Sequence, residues 1–208
     1  MESTSATTPP PETPAAAGLA GWWARNRFGF VGVIGVCVVT AAVLTGMGRV
    51  PWCACGVPVP WSWDIWSAHN SQHLLDPYTF SHVLHGVLFY PLIWLVLRGR
   101  YPAVGLIVAA ILEAVWEVVE NTERVIQHYR ESTISLDYYG DSVGNSVADI
   151  VSCAAGYLLA AALPAWVSAV GFAVTELVLL LWIKDSLLLN ILMLVYPLEA
   201  VKNWQLGE

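Results

Sequence analysis

Between Leu106 and Asn121 the chain reads LIVAAILEAVWEVVEN, a segment apolar enough to cross a bilayer that nevertheless carries Glu113, Glu117 and Glu120. Spacings of i, i+4 and i+7 at about 100° per residue place the three carboxylates in one stripe of a helix. A charged side chain near a bilayer centre costs roughly 2.5–3.5 kcal/mol on insertion scales, so three on one face require partners or a water-filled cavity. The fold class that meets this requirement is all-α: a polytopic membrane helix bundle whose other helices face the stripe.

The rest of the chain has the composition for such a bundle. Of its 208 residues 57% are hydrophobic and only 12% charged, where a soluble domain is about one quarter charged. Five apolar runs of about 20 residues predict five spans, at 28–48, 77–97, 103–121, 142–163 and 165–183. A last apolar piece, 186–201, is interrupted by Asn190, Pro197 and Glu199. As a helix it reaches about 24 Å, short of the roughly 30 Å hydrocarbon core, so an interfacial or re-entrant C-terminal helix is expected, with a sixth span as the alternative.

Residues 1–20, rich in Pro, Ala, Thr and Ser, are expected to be a disordered tail, and 21–208 one integral membrane helical domain. Trp22, Trp23, Arg25 and Arg27 read as an interfacial anchor for an uncleaved first span, whose glycines at 29, 32 and 35 favour close helix packing. The loop from 50 to 76 is dense in Pro and Trp and suits the headgroup level. Asp76 followed by Pro77 reads as an N-cap with proline in the first helical position. Arg98, Gly99 and Arg100 close the second span in a tight basic turn, Asp141 or Ser142 can cap the fourth, and Pro164 breaks it. The first half of the polar stretch 122–140 is expected to continue as helix or to lie along the surface.

Because consecutive spans alternate in direction, the start of span two, the end of span three, the start of span four and the end of span five meet on one side. At 1.5 Å per residue His85, Glu113, Asp149 and Glu176 then lie about 10–12 Å from those ends, at one depth. His82 and His85 share a face, and Asp141, Asn145, Asp149 and Ser152 form a stripe of their own. Structural glue does not need several carboxylates and two histidines at one depth. A pocket is therefore expected in which His82, His85, Glu113, Glu117 and Asp149 carry chemistry, with His73, Asp76, Glu120, Asn121, Asp141 and Asn145 as binding residues. Trp116 is expected as pocket wall or packing rather than as a chemical group. In low dielectric such crowding cannot stay fully ionised, so either carboxyls hold protons or a cation supplies the missing charge. Shared protons are favoured over a divalent metal.

The formal net charge of −7 and the scattered basic residues argue against nucleic acid as a partner. The lipid bilayer, a lipid-linked substrate and a homo-oligomer are the partners that fit. Cys53 and Cys55 are too close for an unstrained mutual bridge, and a C-x-C metal site needs two further ligands that the sequence does not place. Four basic residues flank the spans on the N-terminal side and five lie on the other, so the positive-inside rule is balanced. The first helix tips it toward a cytoplasmic N-terminus, in a multi-pass protein of the cell membrane with its pocket opening outward.

The stretches WSAHNSQHLLDPYTFSHVLHG, EAVWEVVEN, DYYGDSVGNSVAD and PLEAVKNWQ resemble a family of bacterial multi-pass membrane proteins catalogued as an uncharacterised protein family with a domain of unknown function. The resemblance covers about 61–205 and implies no activity. Its pattern marks Asn70, Ser71, Gln72, His73, Asp76, His82, His85, Glu113, Glu117, Glu120, Asn121, Asp137, Gly140, Asp141, Asn145, Ser146 and Asp149; His69 falls outside it. A fainter likeness to VanZ-like envelope proteins is fold-level only.

Three functions fit the residues. The first is a membrane-embedded hydrolase or transferase on a lipid or lipid-linked substrate, using acid–base or metal chemistry. It lacks an H-E-x-x-H motif, since HNSQH has no glutamate. The second is a proton-coupled transporter or channel, against which stand the small number of spans and the lack of an internal repeat. The third is a non-catalytic envelope component. Ligand atoms at metal-bonding separations favour the first; a continuous polar path through both leaflets favours the second.

Overall fold

A computed structural model describes residues 14–135 and 137–207, with side chains from Arg27 onward. Among the described residues there are eight helices and no strand: α1 (Pro14–Gly46), α2 (Thr79–Leu97), α3 (Pro102–Glu120), α4 (Glu123–Ser132), α5 (Val143–Ala162), α6 (Ala165–Ile183), α7 (Leu187–Val195) and α8 (Glu199–Leu206). Five stretches are long and apolar enough to cross a membrane: Arg27–Gly46 within α1, and the whole of α2, α3, α5 and α6. The all-α bundle with five membrane-crossing helices is the expected architecture.

The helix ends show why the segments stop where they do. Ser142 caps α5, its Oγ accepting from the Asn145 N–H at 3.1 Å. Arg98 and Gly99 both adopt the left-handed conformation after α2, with φ of 51° and 66°, which makes the turn between α2 and α3 tight. α2 starts two residues later than the Asp-Pro signal suggests, at Thr79, because Pro77 and Tyr78 form a turn. Asp76 still serves that end: its Oδ1 accepts from the N–H groups of Tyr78 at 2.7 Å and Thr79 at 3.1 Å.

Near the termini the helix boundaries are more detailed than the expected ones. Residues 1–13 lie outside the described residues, whereas 14–20, read from composition as tail, begin α1. The C-terminal apolar piece is not one helix but two, α7 and α8, broken around Pro197. α7 has nine residues, about 13 Å of helix, and is far short of a span.

α2 packs most extensively against α5, and α1 against α3. The α2–α5 seam depends on two glycines that face each other's backbone. A Cβ on Gly86 would overlap the carbonyl of Cys153, and one on Gly156 would overlap the carbonyl of Val83. Such small-residue contacts let helix backbones meet in lipid, where apolar side chains gain nothing from leaving the solvent. Of the α1 glycines, Gly29 lies against Ala103 and Leu106 and Gly32 against Ile107, while Gly35 has nothing within 4 Å. An apolar core of Val33, Ile93, Leu106, Ala109, Ala110, Ile150, Ala154 and Tyr157 joins α1, α2, α3 and α5. It occupies the half of the bundle toward the α2–α3 turn and leaves the other half to polar groups.

Candidate functional site

The polar half is built on Glu113, which has 0% of its surface exposed. The α2–α5 contact turns one face of α2 toward α3 and α5, so both of its histidines reach this carboxylate. Nδ1 of His82 lies 2.5 Å from Glu113 Oε1, and Nδ1 of His85 lies 2.9 Å from both oxygens. His82 also faces Glu117 Oε1 at 3.5 Å and, through Nε2, Asp149 Oδ2 at 3.8 Å. Glu117 Oε1 and Asp149 Oδ1 are buried without a hydrogen-bond partner, a costly state for carboxyl oxygens that water or a ligand relieves.

Two sets of three residues bring one ligand atom each within 4.8 Å of one another: His82, His85 and Glu113, and His82, Glu117 and Asp149. Either set has donors a divalent cation accepts. His85 is stacked on Phe89, with ring centroids 5.9 Å apart, which fixes its ring plane.

Beside the cluster is a cavity of about 70 Å³, room for a few waters. Its polar lining includes Asn70, Asp76, Tyr78, His82, His85, Glu120, Tyr129, Tyr138, Asp141 and Asp149, and its apolar lining Trp116, Leu187 and Ile191. Glu113 and Glu117 lie behind the histidines rather than in the wall. The expected residues therefore sort by position. His82, His85 and Asp149 face the cavity with Glu120, Asp76 and Asp141, whereas Asn121 and Asn145 are buried behind it.

Asn121 is an organiser. Its Nδ2 donates to the Glu117 carbonyl at 3.0 Å and to Asp141 Oδ2 at 2.7 Å, and its Oδ1 accepts from the Asp141 N–H at 2.8 Å. Tyr138 donates to the same carboxylate at 2.9 Å. Burial pushes the Asp141 carboxyl up to about 6, more than these hydrogen bonds pull it down. Asp76 is held by its own loop, since Oδ2 takes the Ser71 N–H at 3.0 Å while Oδ1 takes the two N–H groups before α2; burial raises its pKa as well.

Two residues lie elsewhere than expected, His73 as a binding residue and Glu176 by its depth. His73 is not in the cavity wall: Nδ1 bonds to the Val59 carbonyl and Nε2 faces Cys55 Sγ at 3.7 Å. Glu176 does not join the pocket but accepts from the N–H groups of Leu187 at 2.9 Å and Leu188 at 3.1 Å, capping α7. Other residues escaped the sequence reading. Arg49 links the loop after α1 to the Tyr139 carbonyl and to Glu123, both at 2.7 Å, and Tyr78, Tyr129, Tyr138 and Asn190 reach the cavity from outside the five long helices.

Comparison with known proteins places the chain. The profile of a family described as "Protein of unknown function (DUF2585)" matches residues 44–207. A UPF0314 protein of Sinorhizobium fredii is 48% identical over 177 residues, 85% of this chain and 88% of that one. A UPF0314 protein of Paracoccus denitrificans is 47% identical over 171 residues, 82% of this chain and 88% of its own. One from Rhizobium meliloti is 46% identical over 183 residues, covering 88% and 93%. No solved structure matches. The matched region takes in the histidines, the carboxylates and the loops that surround them, and the chain, 46–48% identical to these three UPF0314 proteins, belongs to the DUF2585 family.

Proposed function

We propose that this protein is a membrane enzyme of the cell envelope that carries out acid–base hydrolysis or group transfer on a lipid or lipid-linked substrate. The observation that carries this reading is one buried carboxylate, Glu113, holding two imidazoles by Nδ1 while both rings line a cavity. A carboxylate on one ring nitrogen fixes the tautomer and leaves Nε2 free as a base toward the cavity. His82 and His85 then take a proton from a water or substrate hydroxyl. Asp149, in the cavity wall beside Nε2 of His82, provides a place for that proton to go and an acid to return it to a leaving group. Trp116, Leu187 and Ile191 form an apolar side of the cavity, which admits water and the reacting group of a substrate whose chain stays in the bilayer.

A bound divalent cation is the second reading, favoured by the two sets of ligand atoms within 4.8 Å. It would polarise the substrate from the same wall. Proton transport is less well supported, because Ile93, Leu106, Ala109, Ala110 and Ala154 fill the bundle beyond the cluster. In this proposal the N-terminus is cytoplasmic and the cavity faces outward.

Purified full-length protein in liposomes, incubated with an envelope lipid extract and followed by mass spectrometry, is expected to convert one lipid class. His85→Ala and Glu113→Gln should abolish the conversion. Metal measured in the wild type, Glu117→Gln and His85→Ala is expected to be the same in all three. Stoichiometric metal lost from both variants would make the cation reading the leading one. Wild-type proton flux into dye-loaded liposomes, lost in the same variants, would replace the enzyme with a transporter.

A further inference from the structure

The loop between α1 and α2 carries a second cluster, separate from the cavity, that supplies the two ligands a C-x-C pair requires. We propose that Cys53, Cys55, His69 and His73 form a tetrahedral zinc site that staples this loop and thereby holds the rim of the cavity.

One ligand atom from each of the four residues lies within 4.8 Å of the others. Cys53 Sγ is 3.2 Å from His69 Nδ1, and Cys55 Sγ is 3.7 Å from His73 Nε2. A tetrahedral ion with Zn–S near 2.3 Å and Zn–N near 2.0–2.1 Å separates its sulfur and nitrogen ligands by about 3.5 Å, between those two distances. Two thiolates and two imidazoles are a closed donor set of the kind that zinc takes in structural sites.

The surroundings are arranged for ligation. His73 gives its Nδ1–H to the Val59 carbonyl, which leaves Nε2 as a lone-pair donor aimed at Cys55. Trp52 packs edge-on against the His73 ring at 5.5 Å. The Cys55 N–H donates to Cys53 Sγ at 3.4 Å, and the Gly56 N–H to the Cys53 carbonyl at 3.1 Å. This turn uses the left-handed φ of 68° at Gly56 and points both sulfurs the same way. A Cys53–Cys55 disulfide does not explain the arrangement, because it would use neither imidazole.

The reach of the staple follows from what adjoins His73. Ser71 has a φ of 60°, an uncommon conformation for a residue with a side chain. Its carbonyl accepts from the Ser142 N–H at 2.9 Å, and Gln72 Nε2 donates to the Gly140 carbonyl at 2.8 Å. Fixing His69 and His73 to the C-x-C turn thus fixes the segment that joins the cavity rim to the start of α5.

The full-length chain, purified in detergent under reductant, loaded with zinc and desalted, is expected to hold one zinc per chain by plasma mass spectrometry. The zinc should persist in His85→Ala and fall by at least about tenfold in the Cys53→Ser, Cys55→Ser double variant. Alkylation of Cys53 and Cys55 in the unaltered chain, located by peptide mass spectrometry, tests the site without a variant. Zinc should slow both thiols by about tenfold or more, and a chelator should restore the rates. Zinc that stays in the double variant, zinc that leaves His85→Ala, or a loaded wild type with no metal and unchanged alkylation would each overturn the proposal.

Discussion

Asp141 sits at the mouth of α5, outside the apolar spans, and its titration is a property of single atoms. Its carboxyl is raised from an ordinary 3.8 to about 6 by burial. The folded protein therefore binds this proton more tightly than the unfolded chain does. The contribution of the group to stability is most favourable below the ordinary value, is lost as pH rises from about 3.8 toward 6, and is level above that. Asp185, buried against Tyr78, Asn190 and the Ser186 N–H, is likewise pushed up to about 6 and titrates in the same window. Infrared spectra of the wild type should show carboxyl protonation with a midpoint near pH 6. Asp141→Asn should remove part of that signal and leave the part due to Asp185. An unchanged amplitude in Asp141→Asn would show that burial does not hold that carboxyl up.

At the scale of elements, the pairing of α2 with α5 decides whether the histidines meet the carboxylates at all. Gly156 has the Val83 carbonyl where a Cβ would be, so Gly156→Ala must push the two helices apart. Overpacking of this kind costs about 1–3 kcal/mol, and it should also separate His82 from Asp149. Gly171, in α6, has nothing within 4 Å, and alanine there should be neutral or should gain up to about 1 kcal/mol. Thermal unfolding of the two variants in detergent reads the contrast. Equal midpoints for Gly156→Ala and Gly171→Ala would mean that the α2–α5 seam is looser than its geometry implies.

For the whole molecule, the distribution of polarity between the two ends of the bundle matters most. One end has the cavity, the loop from 50 to 78, α4 and α7; the other has the tight turn at Arg98 and Gly99 and the apolar core beneath it. With a cytoplasmic N-terminus the cavity end faces out. Arg100→Cys and Asp137→Cys, treated in intact cells with an impermeant thiol reagent and located by peptide mass spectrometry, should be labelled at 137 and not at 100. The opposite pattern would invert the protein in the membrane and place its substrate on the cytoplasmic side.

The number of long helices, the acidic stripe on α3, the serine cap of α5 and the shared face of His82 and His85 were all legible in the sequence. Each depends on helical periodicity or on capping chemistry within a few residues, and these are local. The gathering of the α2, α3 and α5 polar groups at one end was legible too, because rise per residue and alternating direction need no knowledge of packing. Which groups touch was left to tertiary structure. The rotation of α2 that gives both imidazoles to Glu113 follows from the backbone contacts at Gly86 and Gly156, and nothing in the spacing of His82 and His85 encodes it. Glu176 matched the expected depth and still left the pocket, because the free N–H groups of α7 bind its carboxylate. The approach of Cys53 and Cys55 to His69 and His73 was equally hidden, since an irregular loop has no period from which distances across 14 to 20 residues can be read.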